Sequence, residues 1–339
     1  MSNEDAPRTL EGLLVDPIVG VRPGALAMEG DLIVAVEERD AAAEQIVFPG
    51  FVDLHVYEPG PVIATGVTGY LQTAQRPVET SDPLCLGLHL EGPFLNPESA
   101  GALPVESLLP VDLDLLGEWL GRGDVRLVTV APELDRGLDA ISAIAERAVA
   151  AVGHTHANEA TTRAAIDAGA RFATHLWNAM APLRARETGP ATALLLDERV
   201  TIGLIGDGVH LHPTVEALTI RTAGSDRVAL TSDRVAQPVS ADNRLQGGSL
   251  SGAELVARFA RFGLPAAAAM ASLVPSRVMG LTDRGRLEPG YRADLAVLDG
   301  ALRPMETIAA GKTVWALRYP ETQKLDEIPP STHAPGSGA

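Results

Sequence analysis

Six residues stand at positions suited to chemistry. Glu91 closes the apolar run 84–90, His154 follows the run 148–152, and His175 ends the run 171–175. Asp207 and His210 follow the run 200–205, and Asp233 follows the run 228–231. One carboxylate with two imidazoles, as Glu91, His154 and His175 would supply, leaves an open position on a cation such as Zn²⁺, the arrangement of catalytic metal sites. The same donors suit Fe²⁺, Mn²⁺ and Co²⁺. Asp233, aimed at the open position, could take a proton from a bound water. Each residue also has a plain structural reading. Glu91 before Gly92-Pro93 fits a loop cap, His154 and His175 fit satisfied core histidines, Asp207-Gly208 fits a turn, and Asp233 fits a pair with Arg234. What favours the metal reading is that all six fall at the same end of their runs.

That regularity depends on what the runs are. Eight short stretches rich in Val, Ile and Leu read as strands: 51–56, 67–71, 84–90, 125–131, 148–152, 171–175, 200–205 and 228–231. Helix-length amphipathic stretches lie between most of them, such as 158–168, with Asn158 as N-cap and Gly169 just past the end. Strand–helix alternation implies parallel pairing, since parallel neighbours need a crossover. Eight such strands predict an α/β fold, a closed (β/α)₈ barrel whose carboxyl-end loops form one mouth. An open doubly wound sheet is the rival, but no G-x-G-x-x-G turn opens a first helix. One connection departs from the pattern: the stretch 57–66 contains Pro59, Gly60 and Pro61 and is too short for a crossover helix. Either the barrel is distorted, with its first helix absent, or one of the two flanking runs is not a strand.

The ends read differently. Stretches 10–48 and 285–319 hold short alternating runs broken by turn signals, which predict β-structure from both termini meeting in a small sandwich. The expected division is 1–49 with 284–319 as the small domain, 50–283 as the barrel, and 320–339 as a disordered tail. The chain has 339 residues, more than a barrel of about 250 needs. Its formal charge of −17 argues against a nucleic-acid or anionic-membrane surface, which needs clustered Lys and Arg. A single cysteine, Cys85, cannot form an internal disulfide and is expected to pack as a small apolar side chain. With no secretory leader and no long apolar span in the sequence, a cytoplasmic location is expected.

Several of these segments share a family resemblance. Leu88-His-Leu-Glu-Gly-Pro-Phe94 resembles the Glu-bearing segment of the N-acetylglucosamine-6-phosphate deacetylases of the amidohydrolase superfamily. Val152-Gly-His-Thr155, Thr174-His-Leu-Trp-Asn-Ala-Met180, Gly206-Asp-Gly-Val-His-Leu-His-Pro213 and Leu230-Thr-Ser-Asp233 follow in that family's order. Pro49-Gly-Phe-Val-Asp-Leu-His55 upstream and Gly285-Arg-Leu-Glu-Pro-Gly-Tyr-Arg-Ala-Asp-Leu295 downstream extend the likeness from about residue 10 to 319. The resemblance implies one divalent metal per chain, Zn²⁺ first among the candidates, held by Glu91, His154 and His175. It implies Asp233 as acid/base, and Asn178, the Ala179 backbone, Arg186 and His210 as substrate contacts, with His55 and Asp207 as additional site residues. The substrate implied is an amino-sugar phosphate, the reaction loss of its N-acetyl group, and the assembly a homodimer.

The departures are specific. Many amidohydrolases carry His-x-His on the first strand, whereas this chain reads His55-Val56-Tyr57, and Tyr in the second place favours a single metal. Leu103 stands where the family has a substrate-contacting His, and His156 stands where a small polar residue is expected, most simply as a solvated loop residue. The absent first helix is expected to open one flank of the barrel to a partner subunit. His89 shares a strand face with Glu91 and is expected to orient it, while His212 before Pro213 reads as a helix start. Two further readings stand beside this one: an amidohydrolase for another N-acyl sugar or cyclic amide, prompted by Leu103 and the absent helix, and a lapsed relative that binds a sugar phosphate without turning it over.

Overall fold

The computed structural model describes residues 7–40, 44–60, 62–241 and 244–317. The chain opens with β1 (Arg8–Asp16), β2 (Gly20–Glu29), β3 (Leu32–Glu38) and β4 (Gln45–Pro49). The barrel strands follow as β5 (Phe51–Val56), β6 (Val67–Ala74), β7 (Cys85–Glu91), β8 (Val125–Val130), β9 (Val149–Val152), β10 (Phe172–Ala173), β11 (Thr201–Ile205) and β12 (Val228–Thr231). Helices α1 (Leu113–Gly121), α2 (Gly137–Ala145), α3 (Glu159–Asp167), α4 (Gly189–Leu196) and α5 (Pro213–Ala223) cross over from β7 onward, and α6 (Ala253–Phe259) follows β12. The chain then returns to the first sheet as β13 (Leu295–Asp299), β14 (Pro304–Ala309) and β15 (Lys312–Ala316).

Strands β5 to β12 form one parallel sheet in sequence order. It nearly closes, because Asp233 N donates to His55 O at 2.9 Å and the backbone N–H groups of Tyr57 and Glu58 donate to Arg234 O. All eight expected strands exist, with ends shifted by a few residues. The largest change is at 171–175, where only Phe172–Ala173 pairs as strand and His175 already has a left-handed backbone. Inward residues Leu54, Leu71, Leu127, Ala151, Phe172 and Ala229 fill the lower barrel as one apolar cluster. One pleat further along, the inward side chains turn polar: Leu127 gives way to Thr129 and Ala229 to Thr231, and β7 turns inward at His89 and Glu91. The site is thus a polar storey built on an apolar floor.

Among its described residues, stretch 57–66 holds only a 3-10 turn, Val62–Thr65, too short to be a crossover helix. Residues 75–84, with Pro77 and Pro83, also lack a crossover helix, so two helices are missing where the sequence reading noted one. That flank is not open. Val15, Phe48 and Ala296 of the first sheet share one core with Phe51, Val67 and Tyr70 of the barrel. Thr307 Oγ1 donates to Ile63 O at 2.7 Å across the same junction. The expectation of a flank exposed to a partner is therefore corrected: a sheet stands in for the helices.

That sheet runs β15-β14-β13-β4-β1-β2-β3. Its buried cluster draws Leu26, Met28 and Ile33 from one end of the order and Leu295, Val297 and Ile308 from the other, so the sheet folds over like a sandwich. Residues from both ends of the sequence build it, with β4 pairing antiparallel to β13. The expected tail 320–339 lies outside the described residues. Among the described residues, no helix is long and apolar enough to cross a membrane.

Candidate active site

Glu91 is the last residue of β7, and its neighbours arrive by sharp turns. His154 (φ 49), His175 (φ 31) and Asp233 (φ 48) each lie two residues past a barrel strand in left-handed backbone. Such conformations at non-glycine residues cost of order 1–3 kcal/mol each and cluster where function holds them. Gly153 has to be glycine, because a Cβ there would meet Thr129 Cγ2 at 2.8 Å and Thr174 Cβ at 2.9 Å. These turns swing the side chains off the strands and into the mouth.

Glu91 Oε1 lies 3.0 Å from His154 Nε2 and 2.8 Å from His175 Nε2, and the two ring nitrogens are 3.1 Å apart. All three side chains are buried. His154 Nδ1 is 2.7 Å from the Ser99 carbonyl and must donate to it, which leaves a lone pair on Nε2 in the neutral ring. Three electron-pair donors thus converge with few protons to share, a geometry that a divalent cation satisfies. His175 Nδ1 is buried without a partner among the described residues.

The second oxygen of Glu91 faces away from that triangle. Oε2 accepts from the Tyr57 hydroxyl and lies 3.4 Å from His55 Nε2, which in turn is 3.2 Å from Asp233 Oδ1. Burial alone would push the His55 imidazolium down, but attraction to Glu91 and bonding to Asp233 outweigh it and lift it to about 10. Glu91 is held well below the carboxylate range: burial opposes this, and His55 and His154 overcome it. Burial also drives His175 down, while His154 ends raised because Glu91 offsets its burial. Tyr57 is pushed well up by burial and by Glu91, so its hydroxyl stays a donor. Below the site, burial lifts Asp53 to about 6 against hydrogen bonds from Ser232 and His55. Its oxygens accept from Ser232 N at 3.2 Å, fixing the residue before Asp233.

Across the mouth, Asp207 Oδ2 accepts from His210 Nδ1 at 2.9 Å, which aims Nε2 toward Asp233, 3.8 Å away. Burial opposes ionisation of Asp207, yet bonds from the His210 ring and from the His210 and Val209 backbones hold it low. Glu91, His154, His175, Asn178, Ala179, His210 and Asp233 line one cavity of about 540 Å³, together with Leu103. No Lys or Arg is among the described residues lining it. Arg186 is not brought in: it is exposed and lines a neighbouring cavity of about 580 Å³ with His156 and Arg184.

His89 does not orient Glu91. Its ring spans Leu54 O at 3.0 Å and Thr129 Oγ1 at 2.8 Å, because inward β7 side chains meet the strands on either side before they meet each other. His212 caps α5 by accepting from Thr214 N, His156 pairs at the surface with Glu98, and Cys85 is half-buried against the core. Val235, Gln237, Ser240 and Leu245 form a further wall of the cavity that no motif in the sequence marks. The long helix-free stretch after the eighth strand was the available signal.

The Amidohydrolase family model matches residues 59–326. The N-acetylgalactosamine-6-phosphate deacetylase of Escherichia coli O157:H7 is 30% identical, over 90% of this chain and 96% of its own. The N-acetylglucosamine-6-phosphate deacetylase of Bacillus subtilis (strain 168) is 28% identical, over 81% of this chain and 86% of its own. A variant of the N-acetyl-D-glucosamine-6-phosphate deacetylase of Mycobacterium smegmatis, solved with N-acetyl-D-glucosamine-6-phosphate, superposes with a TM-score of 0.84 at 30% identity, covering 91% of this chain and 99% of that one. The chain therefore belongs to the amidohydrolase family, among its N-acetylglucosamine-6-phosphate deacetylases.

Proposed function

We propose that this chain is a hydrolase that removes the N-acetyl group of N-acetylglucosamine-6-phosphate, giving glucosamine-6-phosphate and acetate. The observation that carries the reading is the buried triangle of Glu91 Oε1, His154 Nε2 and His175 Nε2 with Asp233 facing it in one cavity. We assign those three residues as ligands of one divalent metal, Zn²⁺ first, with Fe²⁺, Mn²⁺ and Co²⁺ fitting the same donors. Such a cation supplies Lewis acidity and lowers the pKa of its water. Asp233 accepts the proton of the attacking water and returns it to the departing amine. His210, locked through Nδ1 by Asp207, presents Nε2 beside Asp233 and meets the acyl carbonyl. His55 bridges Glu91 and Asp233 and holds the two carboxylates apart. Asn178 and the Ala179 backbone contact the sugar from the cavity wall.

The phosphate needs a cation, and the described lining supplies none. Arg186 has no hydrogen-bonding or ionic partner among the described residues and suits a phosphate through two parallel charge-assisted bonds. We assign it to the phosphate of a neighbouring copy's substrate within a homodimer. Mixing Arg186→Ala with Asp233→Asn chains tests this, since one site of each mixed dimer would regain both residues. Restored turnover supports exchange between subunits, and none places Arg186 in its own chain's site. We also propose a cytoplasmic protein divided at 1–49 with 284–319, 50–283, and 320–339.

Leu103 in the cavity wall favours a second reading, an amidohydrolase for another N-acyl sugar or cyclic amide. The deciding experiment is acetate release by metal-reconstituted protein from N-acetylglucosamine-6-phosphate, its galactosamine epimer and the phosphate-free sugar, with Glu91→Ala as control. Preference for the first substrate, abolished by Glu91→Ala, is the expected result. Equal or better turnover without the phosphate overturns the sugar-phosphate assignment. Binding with no product from any of them would mark a lapsed enzyme.

A further inference from the structure

Glu133, on the loop after β8, has no part in the roles above. Its Oε1 accepts from Asn96 Nδ2 at 2.8 Å and from the His156 backbone N–H at 2.6 Å, and its Oε2 accepts from the Thr155 hydroxyl. These donors belong to two loops that meet at His154. On one side, Asn96 caps the 3-10 turn Pro97–Ser99 by accepting from Glu98 N, and the turn ends on the Ser99 carbonyl that takes the His154 Nδ1 proton. Asn96 N also donates to His154 O at 3.1 Å. On the other side, Thr155 and His156 directly follow His154, whose left-handed backbone persists only if its surroundings over-determine it. One carboxylate therefore grips both the backbone that carries the ring and the turn that fixes its tautomer. A surface ion pair does not account for Glu133, because no Lys or Arg pairs with it among the described residues, and Thr155 is fully buried.

We infer that Glu133 is a positioning residue for the metal centre, acting through His154: it holds the ring so that Nε2 faces Glu91 and His175. The inference rests on the metal reading above and not on the identity of the substrate. The test is Zn²⁺ affinity by chelator competition, together with the visible spectrum of the Co²⁺-loaded full chain, for wild type, Glu133→Ala, Glu133→Gln and Thr155→Val. Glu133→Ala should lose about 10–100-fold in Zn²⁺ affinity and alter the Co²⁺ spectrum, as loss of a residue that orients a ligand does. Glu133→Gln should stay within about threefold of wild type, since its carbonyl can still accept from Asn96 and His156 while its amide N–H meets the Thr155 oxygen. A merely structural role would lower thermal stability without changing the Co²⁺ spectrum of the folded protein. Wild-type affinity and spectrum in Glu133→Ala would overturn the inference. If that chain does not fold, Thr155→Val keeps the side-chain volume and removes one arm, and wild-type affinity there is equally fatal. A wild type that takes up no divalent metal removes the metal reading and this inference together. One that binds metal yet releases no acetate sinks only the substrate assignment.

Discussion

Among the described residues, two glutamates are buried in this barrel, and they are neutralised in different ways. Glu216, on α5, is fully buried and meets two guanidiniums: Arg258 Nη2 at 3.2 Å and Arg261 Nη2 on its other oxygen. Glu91 is almost as buried but meets only imidazoles and a phenol: His154, His175, His55 and Tyr57. Arginine stays charged at any ordinary pH and presents a fork that matches a carboxylate, so the first site is complete as folded. Imidazoles offer lone pairs as readily as protons, so the second site is the one with donors to spare for the cation of the proposed function. A carboxylate closed off by Arg is framework. One surrounded by histidine is poised to bind.

Deleting each carboxylate in turn separates the two sites most strongly. Glu91→Ala should abolish metal uptake and turnover together, measured by metal analysis and acetate release. Glu216→Ala should leave one metal per chain and cost about 2 kcal/mol of stability, reduced from a fully buried pair because both guanidiniums keep some solvent. Denaturant unfolding of the two variants checks this, and metal loss in Glu216→Ala would erase the distinction. Next in size, Asp233→Asn should retain the metal while turnover falls about 10²–10⁴-fold, the usual worth of a positioned acid/base. Full retained activity would remove Asp233 from the mechanism.

The smallest effect concerns Asp207. Its carboxyl is held below the usual aspartate range by the His210 ring and the His210 and Val209 backbones, so its stabilisation is present above that range and lost as pH falls through the lower folded pKa. Asp207→Asn should therefore melt below wild type at neutral pH, with the gap closing in strong acid. An undiminished gap at low pH would mean the charge is not what Asp207 contributes.

The convergence of Glu91, His154 and His175 was legible because apolar runs mark where strands end, and a parallel barrel gathers those ends at one mouth. The same logic placed Asp207, His210 and Asp233 at that mouth. Arg186 was not legible in the same way, since nothing local says which cavity an exposed loop residue lines. The partners of His89 and Glu133 depend on strand register and loop contact across the barrel, which no window of sequence contains. The second missing crossover was marked by Pro77 and Pro83, and a longer accounting of connection lengths would have found it.

The sheet that replaces the missing helices affects how the molecule is made. Strands β5 and β6 leave the ribosome early, yet Ala296, which packs with Phe51 and Val67, is among the last described residues to emerge. Until β13 arrives to pair with β4, that apolar wall is covered only in part, by Val15 and Phe48. Contacts so distant in sequence slow folding and leave sticky surface exposed meanwhile. The first strands of the barrel thus wait for nearly the last described ones before their packing is complete.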